Sequence, residues 1–420
     1  MADFLLDGLG GGSRILYVAL EKLLISRLVR RSGRYFPLVF FFALPTIVLL
    51  SFIKKAILIR FGEIPSRLGH MSADLDTYIS LKKVKTPTRR NFDLLCLPDS
   101  NTNFNKAIIA KVSGSLIILP RLLVVPFLII INEIRPFNVH RLQLTPPDRF
   151  TGECNTTIHN LASPIIIENH ESQIIENELF RESIPINNLV VLAMRDSLFS
   201  SSLSGVEDLS TSYRNIDGAQ TKALVEELVK FGFGVVRAGS KSKELDIDRN
   251  LIFWDYARSE IQSDINDVVV FSFASFCIGA DTGLHELALL NRKALYLIST
   301  PAFTNKLTSP LLRLVTYCDF IDSHTNGPIG LAEMSARGVF TATGPEDFSR
   351  IGVKPNRMSE QDIRSFVGEI HQFENGLWEE SAESKEIKTA FLDYLEPYGF
   401  KKDSKFKFPN YWSKKSNWLS

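Results

Sequence analysis

The chain is 420 residues long, enough for two or three domains with ample core. Hydrophobic residues make up 45%, which excludes a disordered chain. Forty-eight Lys and Arg against 47 Asp and Glu leave a net charge of +1, without the basic excess of a nucleic-acid binder.

In chain order, residues 14–31 have helical spacing. Ile15, Val18, Ala19 and Leu23 share one face, as in a basic amphipathic helix lying on an anionic membrane surface. Residues 35–53 then run 19 positions without a charge, about the length that crosses a bilayer. The run begins too late for a cleaved secretory signal. Its apolarity favours membrane association over a buried helical hairpin. Arg27, Arg30, Arg31 and Arg34 precede it, and Lys54, Lys55 and Arg60 follow, so loop charge sets no orientation. Pro37 and Pro45 favour a kink, so a re-entrant segment with both ends in the cytosol is as open as a straight span.

Beyond residue 55 the pattern turns α/β. Ala56–Arg60 reads as a strand, His70–Ser80 as a helix and Phe92–Leu97 as a strand. The apolar stretch 115–132 contains Pro120, Arg121 and Pro126, which favours a strand and helix of a soluble lobe over a second span. Residues 141–185 are polar with weak periodicity and read as a link between lobes.

The second half alternates clearly. Leu189–Met194 and Phe276–Gly279 are short apolar runs typical of parallel strands buried on both faces. Gly234–Arg237 and Ala294–Ser299 are further strands. Asp217–Phe231 is a helix stopped by Gly232, Ser263 caps a helix over 263–274, and Leu284–Leu290 is a third helix. Strand and helix at this spacing mean βαβ units and a doubly wound sheet. Trp254 and Tyr256, near a strand end, read as core, with stacking on a base or sugar as the alternative, and Cys277 reads as packing. The four cysteines, Cys96, Cys154, Cys277 and Cys318, lie far apart with no CxxC pair, so neither a disulfide framework nor a zinc site is expected. Residues 400–420 are basic and aromatic, suited to packing back on the N-terminal lobe or touching membrane.

The segment most able to carry chemistry is 276–299. A buried strand ends at Gly279, and Ala280-Asp281-Thr282-Gly283 opens a helix. Ligands of open α/β sheets bind at the carboxyl ends of strands, where helix N–H groups attract anions. Thr282 offers a hydroxyl, Gly283 lets a phosphate approach the backbone, and His285 can bond a phosphate or hydroxyl. A plain N-cap by Asp281 or Thr282 is the competing reading.

This unit resembles the donor-side motif of heptosyltransferase-type glycosyltransferases. Residues 59–81, 190–196 (VVLAMRD), 213–217 (YRNID), 234–239 (GVVRAG), 253–257, 259–264 and 276–284 are also similar to a family of bacterial surface-carbohydrate glycosyltransferases. Asp281 stands where that family often carries Ser or Thr, which brings the turn nearer the heptosyltransferases. The resemblance implies a GT-B fold of two Rossmann-like lobes, a nucleotide-sugar donor between them and no essential metal or other cofactor.

The remaining candidates follow from position. Arg195 ends a buried strand, Arg214 and Asn215 precede a helix, and Arg237 ends another strand. Arginines at adjacent strand ends hold a diphosphate whose charge grows as the sugar leaves; each alone is more often in a salt bridge. An inverting transfer needs a base for the acceptor hydroxyl, and His70 has a suitable ordinary pKa. Glu63, Asp74 and Asp76 are its rivals.

The expected organisation is a membrane-associated segment at 1–55, an acceptor lobe at 56–185, a donor lobe at 186–345 and C-terminal helices with a returning tail at 346–420. The expected activity is transfer of a sugar from a nucleotide-diphosphate donor to a surface glycan or lipid-linked acceptor. The lobes would face the cytoplasm at a bacterial inner membrane, with no nucleic-acid partner. A catalytically inactive nucleotide- or glycan-binding protein of the same fold, or a membrane assembly protein, are the alternatives.

Overall fold

The computed structural model describes residues 30–84, 90–99, 104–144, 153–196, 198, 213–240, 242–280, 282–301, 308–342, 344–398 and 404–419. All but the last two residues of the amphipathic segment 14–31 lie outside these, as does Asp281. The described residues fall into two compact units. The first takes those within Met1–Ser66, Lys82–Asn103 and Val112–Leu144; the second takes Arg67–Leu81, Phe104–Lys111 and those within Thr145–Ser420.

The first third of the chain supplies α1 (Phe36–Ile53), β1 (Ile57–Glu63), α2 (Leu68–Val84), β2 (Arg90–Cys96), β3 (Ile117–Ile118) and α3 (Arg121–Glu133). Apart from most of α2, these form the first unit. β1, β2 and β3 are parallel and adjacent in that order. The stretch 115–132 is thus a strand and a helix, as its prolines and arginine predict. A doubly wound first lobe is not what forms among the described residues: its sheet has three strands.

The core of this unit lies between the sheet and its helices. Phe61 of β1 stacks on Phe127 of α3 with ring centroids 4.1 Å apart. Val39, Ala43 and Ile47 of α1 join them, with Cys96, Val124, Ile130 and Ile131. Pro37 sits in the first turn of the helix, where a missing N–H is harmless. Pro45 cannot donate to a preceding carbonyl, and the turn before it, Val39–Ala43, widens to a π-helix. The expected kink is absorbed as that bulge.

The second unit is built on β4 (Leu189–Ala193), β5 (Gly234–Ala238), β6 (Phe253–Trp254), β7 (Phe276–Gly279), β8 (Ala294–Thr300) and β9 (Leu312–Tyr317). All are parallel, in the spatial order β6-β5-β4-β7-β8-β9. Every residue of β4, β5 and β7 is buried, which is why β4 and β7 read as unbroken apolar runs; in β5 the run is interrupted by the buried Arg237. The order reverses between β4 and β7, and such a switch point opens a crevice at the carboxyl ends.

Helices α4 (Gly218–Lys230), α5 (Asp264–Phe273), α6 (Glu286–Leu290) and α7 (Glu360–Glu374) flank this sheet. Asp217 caps α4 by accepting from the Gln220 N–H at 2.7 Å, and Ser263 caps α5. Gly232 stops α4 at φ +85°, a left-handed conformation that favours glycine. α7 packs on α4 and shares its core through Ile363, Phe366, Val367 and Ile370. Gly368 of α7 has open space where a Cβ would stand. Gly368→Ala is therefore expected to raise stability by about 0.5–1 kcal/mol, read from the urea midpoint.

Three parts of this unit depart from expectation. The stretch 141–185 contains the helix Asn169–Arg181, which packs on α5 through a face that buries Ile175 and Leu179. Helix α2 docks largely on this unit: Asp76 takes a bidentate ion pair from Arg292 at 2.7 and 2.8 Å. The tail completes the second unit instead of returning to the first lobe. Lys407 lies beside β9, accepting from the Val315 N–H and donating to Arg313. Phe406, Phe408, Trp412 and Trp418 bury themselves around Tyr317 and Phe391.

Candidate functional site

At the carboxyl ends of β4 and β5 the chain leaves a cavity of about 270 Å³. Met194, Arg195 and Asp196 enter it from the end of β4, Asn215 to Gly218 and Thr221 from the start of α4, and Ser242 to Leu245 from the loop after β5. Backbone bonds set this geometry. The Ile216 N–H donates to the Arg195 carbonyl at 2.8 Å, which returns the chain to the strand end. Asp196 accepts from the Leu198 N–H at 2.9 Å and the Lys243 N–H at 2.7 Å, tying the two rims together.

Of the three expected arginines, the cavity receives two. Arg195 is half-buried on the wall. Arg237 also lines it but is committed to structure. It is 3% exposed, donates to both oxygens of Asp255 at 2.8 and 2.6 Å, and gives a third bond to the Lys243 carbonyl at 2.7 Å. Its role here is to hold the wall. Arg214 turns to its neighbour, donating from Nε to the Tyr213 hydroxyl at 2.9 Å, and is not among the lining residues; Asn215 is. The N-terminus of α4 is already served by the Asp217 carboxylate.

The turn after β7 does not line this cavity. β7 pairs with β4 through Gly279 and Ala193, and the Ala280 N–H donates to the Ala193 carbonyl at 3.3 Å, so the two strand ends are neighbours. Thr282 is the N-cap of the 3-10 turn Gly283–His285, accepting from the Leu284 N–H at 3.3 Å. Its reading as a cap holds, and its hydroxyl already has that partner. His285 is buried, with its ring over Gly279: a Cβ on that glycine would lie 2.7 Å from the His285 Cβ. His285 therefore packs the turn onto the strand.

Gly283 is exposed, yet a Cβ there would come within 3.0 Å of the Gly69 nitrogen and 3.1 Å of its Cα. The reverse contact is tighter, since a Cβ on Gly69 would lie 2.6 Å from the Gly283 Cα. The glycine pair lets the first turn of α2 lie against the turn that opens α6. That close approach gives glycine at 283 a packing reason of its own in this structure. His70, the next residue of α2, is exposed and one position from that contact.

The rival bases have other partners. Glu63, at the end of β1 in the first unit, pairs with Arg121 at 2.5 Å. Asp76 is engaged by Arg292, and burial pushes its carboxyl above the usual range despite that pairing. Asp74 is buried. Trp254, Tyr256 and Cys277 are core, and burial pushes the Cys277 thiol well above its ordinary range. Among the described residues no group of three or more His, Cys, Asp or Glu side chains gathers at metal-ligand spacing.

Two features escape sequence reasoning. Arg357 donates to the carbonyls of Ser299, at the end of β8, and Tyr213, fixing the entry to Arg214 and Asn215 onto the sheet edge. Ser299 itself is held at φ +47°, unusual for a residue other than glycine, with its hydroxyl accepting from the Met358 N–H at 3.2 Å. Nothing local in the sequence marks either one.

No family model matches the chain, and no curated protein matches it. Among solved structures, the ADP-heptose LPS heptosyltransferase II of E. coli aligns over 76% of this chain and 99% of its own. The identity is 13% and the TM-score 0.45. A glycosyl transferase family 9 structure from Veillonella parvula aligns over 76% and 97%, at 10% identity and a TM-score of 0.41. The iron-containing heptosyltransferase TibC of E. coli, solved with ADP-D-β-D-heptose, aligns over 64% of each chain at 14% identity and a TM-score of 0.32. These scores are too low to assign the chain a fold family or an activity.

Proposed function

We propose that the chain is a membrane-associated glycosyltransferase of GT-B type, moving a sugar from a nucleotide-diphosphate donor to a surface glycan or lipid-linked acceptor on the cytoplasmic side of a bacterial inner membrane. The observation that carries this reading is the cavity lined by Arg195 and Asn215 at the carboxyl ends of β4 and β5, beside the place where the strand order reverses between β4 and β7. Open α/β sheets bind nucleotides at such a point. The nucleoside would occupy the cavity, with its diphosphate directed toward the neighbouring end of β7 and Thr282. Arg195 would meet the phosphates, since charge-assisted bonds from a guanidinium are both strong and directional.

The chemistry asked of the protein is modest. In an inverting transfer the acceptor oxygen bonds to the anomeric carbon as the bond from that carbon to the diphosphate oxygen breaks. The acceptor proton passes to a base, and the leaving diphosphate gains charge that Arg195 can stabilise. His70 is the base of choice because it is exposed and one residue from the Gly69–Gly283 contact.

His70→Ala tests this assignment. It should lower the rate of sugar transfer by roughly 10²–10⁴-fold while leaving donor affinity nearly unchanged, because a base acts in the transition state. Transfer can be followed with radiolabelled donor and affinity by calorimetry. Undiminished transfer would remove His70 from the chemistry. Donor binding by the wild-type chain with neither transfer nor hydrolysis would favour the inactive binding protein.

A further inference from the structure

The shape of α1 decides how the chain would meet a membrane. The helix has 18 residues, long enough at about 1.5 Å per residue to cross a hydrocarbon core of about 30 Å. Length therefore permits a span, and packing opposes it. Val39, Ala43 and Ile47, spaced four residues apart along one stripe, are each 0% exposed in the core of the first unit. Both ends of the helix are fastened to the same unit. Arg31, just before it, pairs with Glu133 of α3. Ser51, in its last turn, lies 3.4 Å from His140 Nε2, whose Nδ1 is 2.7 Å from the Ile59 carbonyl of β1. A bilayer-crossing α1 would have to leave this core and those partners, or carry polar strands into lipid with it.

The opposite stripe is apolar and open. Phe41 is 81% exposed, Phe52 73% and Leu49 63%; on α3, Leu122 is 56% exposed. Cations flank both ends of the helix: Arg30 before it, Lys54 and Lys55 after it. A spanning helix places its ends in opposite leaflets, whereas basic residues at both ends suit one anionic surface. We propose that α1 is a monotopic element, lying in the interface of an anionic phospholipid bilayer with Phe41, Leu49 and Phe52 inserted and both ends on the same side. This deepens the membrane part of the proposed function and is independent of any sugar chemistry.

The test uses the full chain and sealed phosphatidylcholine vesicles with and without phosphatidylglycerol. The protein should float with the anionic vesicles, less so in high salt. Phe41→Glu with Phe52→Glu should weaken flotation by on the order of tenfold or more, with circular dichroism and melting temperature unchanged because both side chains are exposed. In a Cys154→Ser background, where the other cysteines are buried, Arg30→Cys and Lys55→Cys should both react with an impermeant maleimide before the vesicles are lysed. One of the two protected until lysis would establish a span and overturn the proposal. Flotation indifferent to the two glutamates would also overturn it, as would a lipid-free dimer that Phe41→Glu dissociates without any change in flotation. None of these outcomes depends on nucleotide binding or transfer, so the donor site stands or falls separately.

Discussion

Arg237→Ala is expected to destabilise the protein by about 3 kcal/mol, because it removes the bidentate partner of the Asp255 carboxylate and leaves only Arg258, at 4.0 Å, beside it. The Arg237 side chain is 4% exposed and that of Asp255 21%. The loss should appear as a lowered urea midpoint in the absence of any ligand. Arg237→Lys should recover only part of it, since an ammonium cannot reproduce the two-pronged contact or reach the Lys243 carbonyl as well. A phosphate-binding arginine would behave otherwise: its loss would weaken donor binding and leave the ligand-free protein as stable as before.

Gly69→Ala is the second large effect. The added methyl would meet backbone at 2.6 Å, so α2 or the turn at Gly283 must move. Overpacking of this kind costs about 1–3 kcal/mol and sometimes more, against the small gain that alanine usually brings to a helix. Gly283→Ala brings its methyl to 3.0 Å from the Gly69 nitrogen and should be milder. The order of the two melting temperatures, Gly69→Ala below Gly283→Ala below wild type, separates helix contact from phosphate approach. If Gly283 served only to admit a phosphate, its substitution would weaken donor binding without lowering the melting temperature.

What the sequence reveals of this fold depends on the range of the interactions that decide it. The strands Leu189–Ala193 and Phe276–Gly279 are legible because both faces are buried and no polar residue interrupts them. The caps at Asp217 and Ser263 are legible because a cap is settled within three residues. The helix Asn169–Arg181 is hidden because the contact face that stabilises it buries only Ile175 and Leu179. The tail is hidden for the opposite reason: its aromatic residues look equally suited to membrane and core, and only β9 and Phe391 decide between them.

The same division runs through the candidate site. Placing Arg195 at a strand end needs only the strand, and the cavity is there. The engagement of Arg237 needs Asp255, on a neighbouring strand's edge, and the sequence does not show that they meet. The Gly69–Gly283 contact joins residues more than two hundred positions apart. In α1 the apolar run is obvious, but its buried stripe of Val39, Ala43 and Ile47 exists only because α3 and β1 lie against it.

The central claim is that the cavity at the end of β4 takes the nucleoside of a nucleotide-diphosphate sugar, with Arg195 meeting its phosphates. Isothermal titration of the full chain with ADP-, UDP-, GDP- and CMP-linked sugars tests it most directly, with Arg195→Ala alongside. At least one nucleotide-diphosphate sugar should bind the wild type, and Arg195→Ala should weaken it by roughly tenfold or more, the loss of a charge-assisted bond of about 1.5–3 kcal/mol. Binding that is indifferent to Arg195, binding of the CMP sugar alone, which carries a single phosphate, or no binding by any of the four, would contradict the claim.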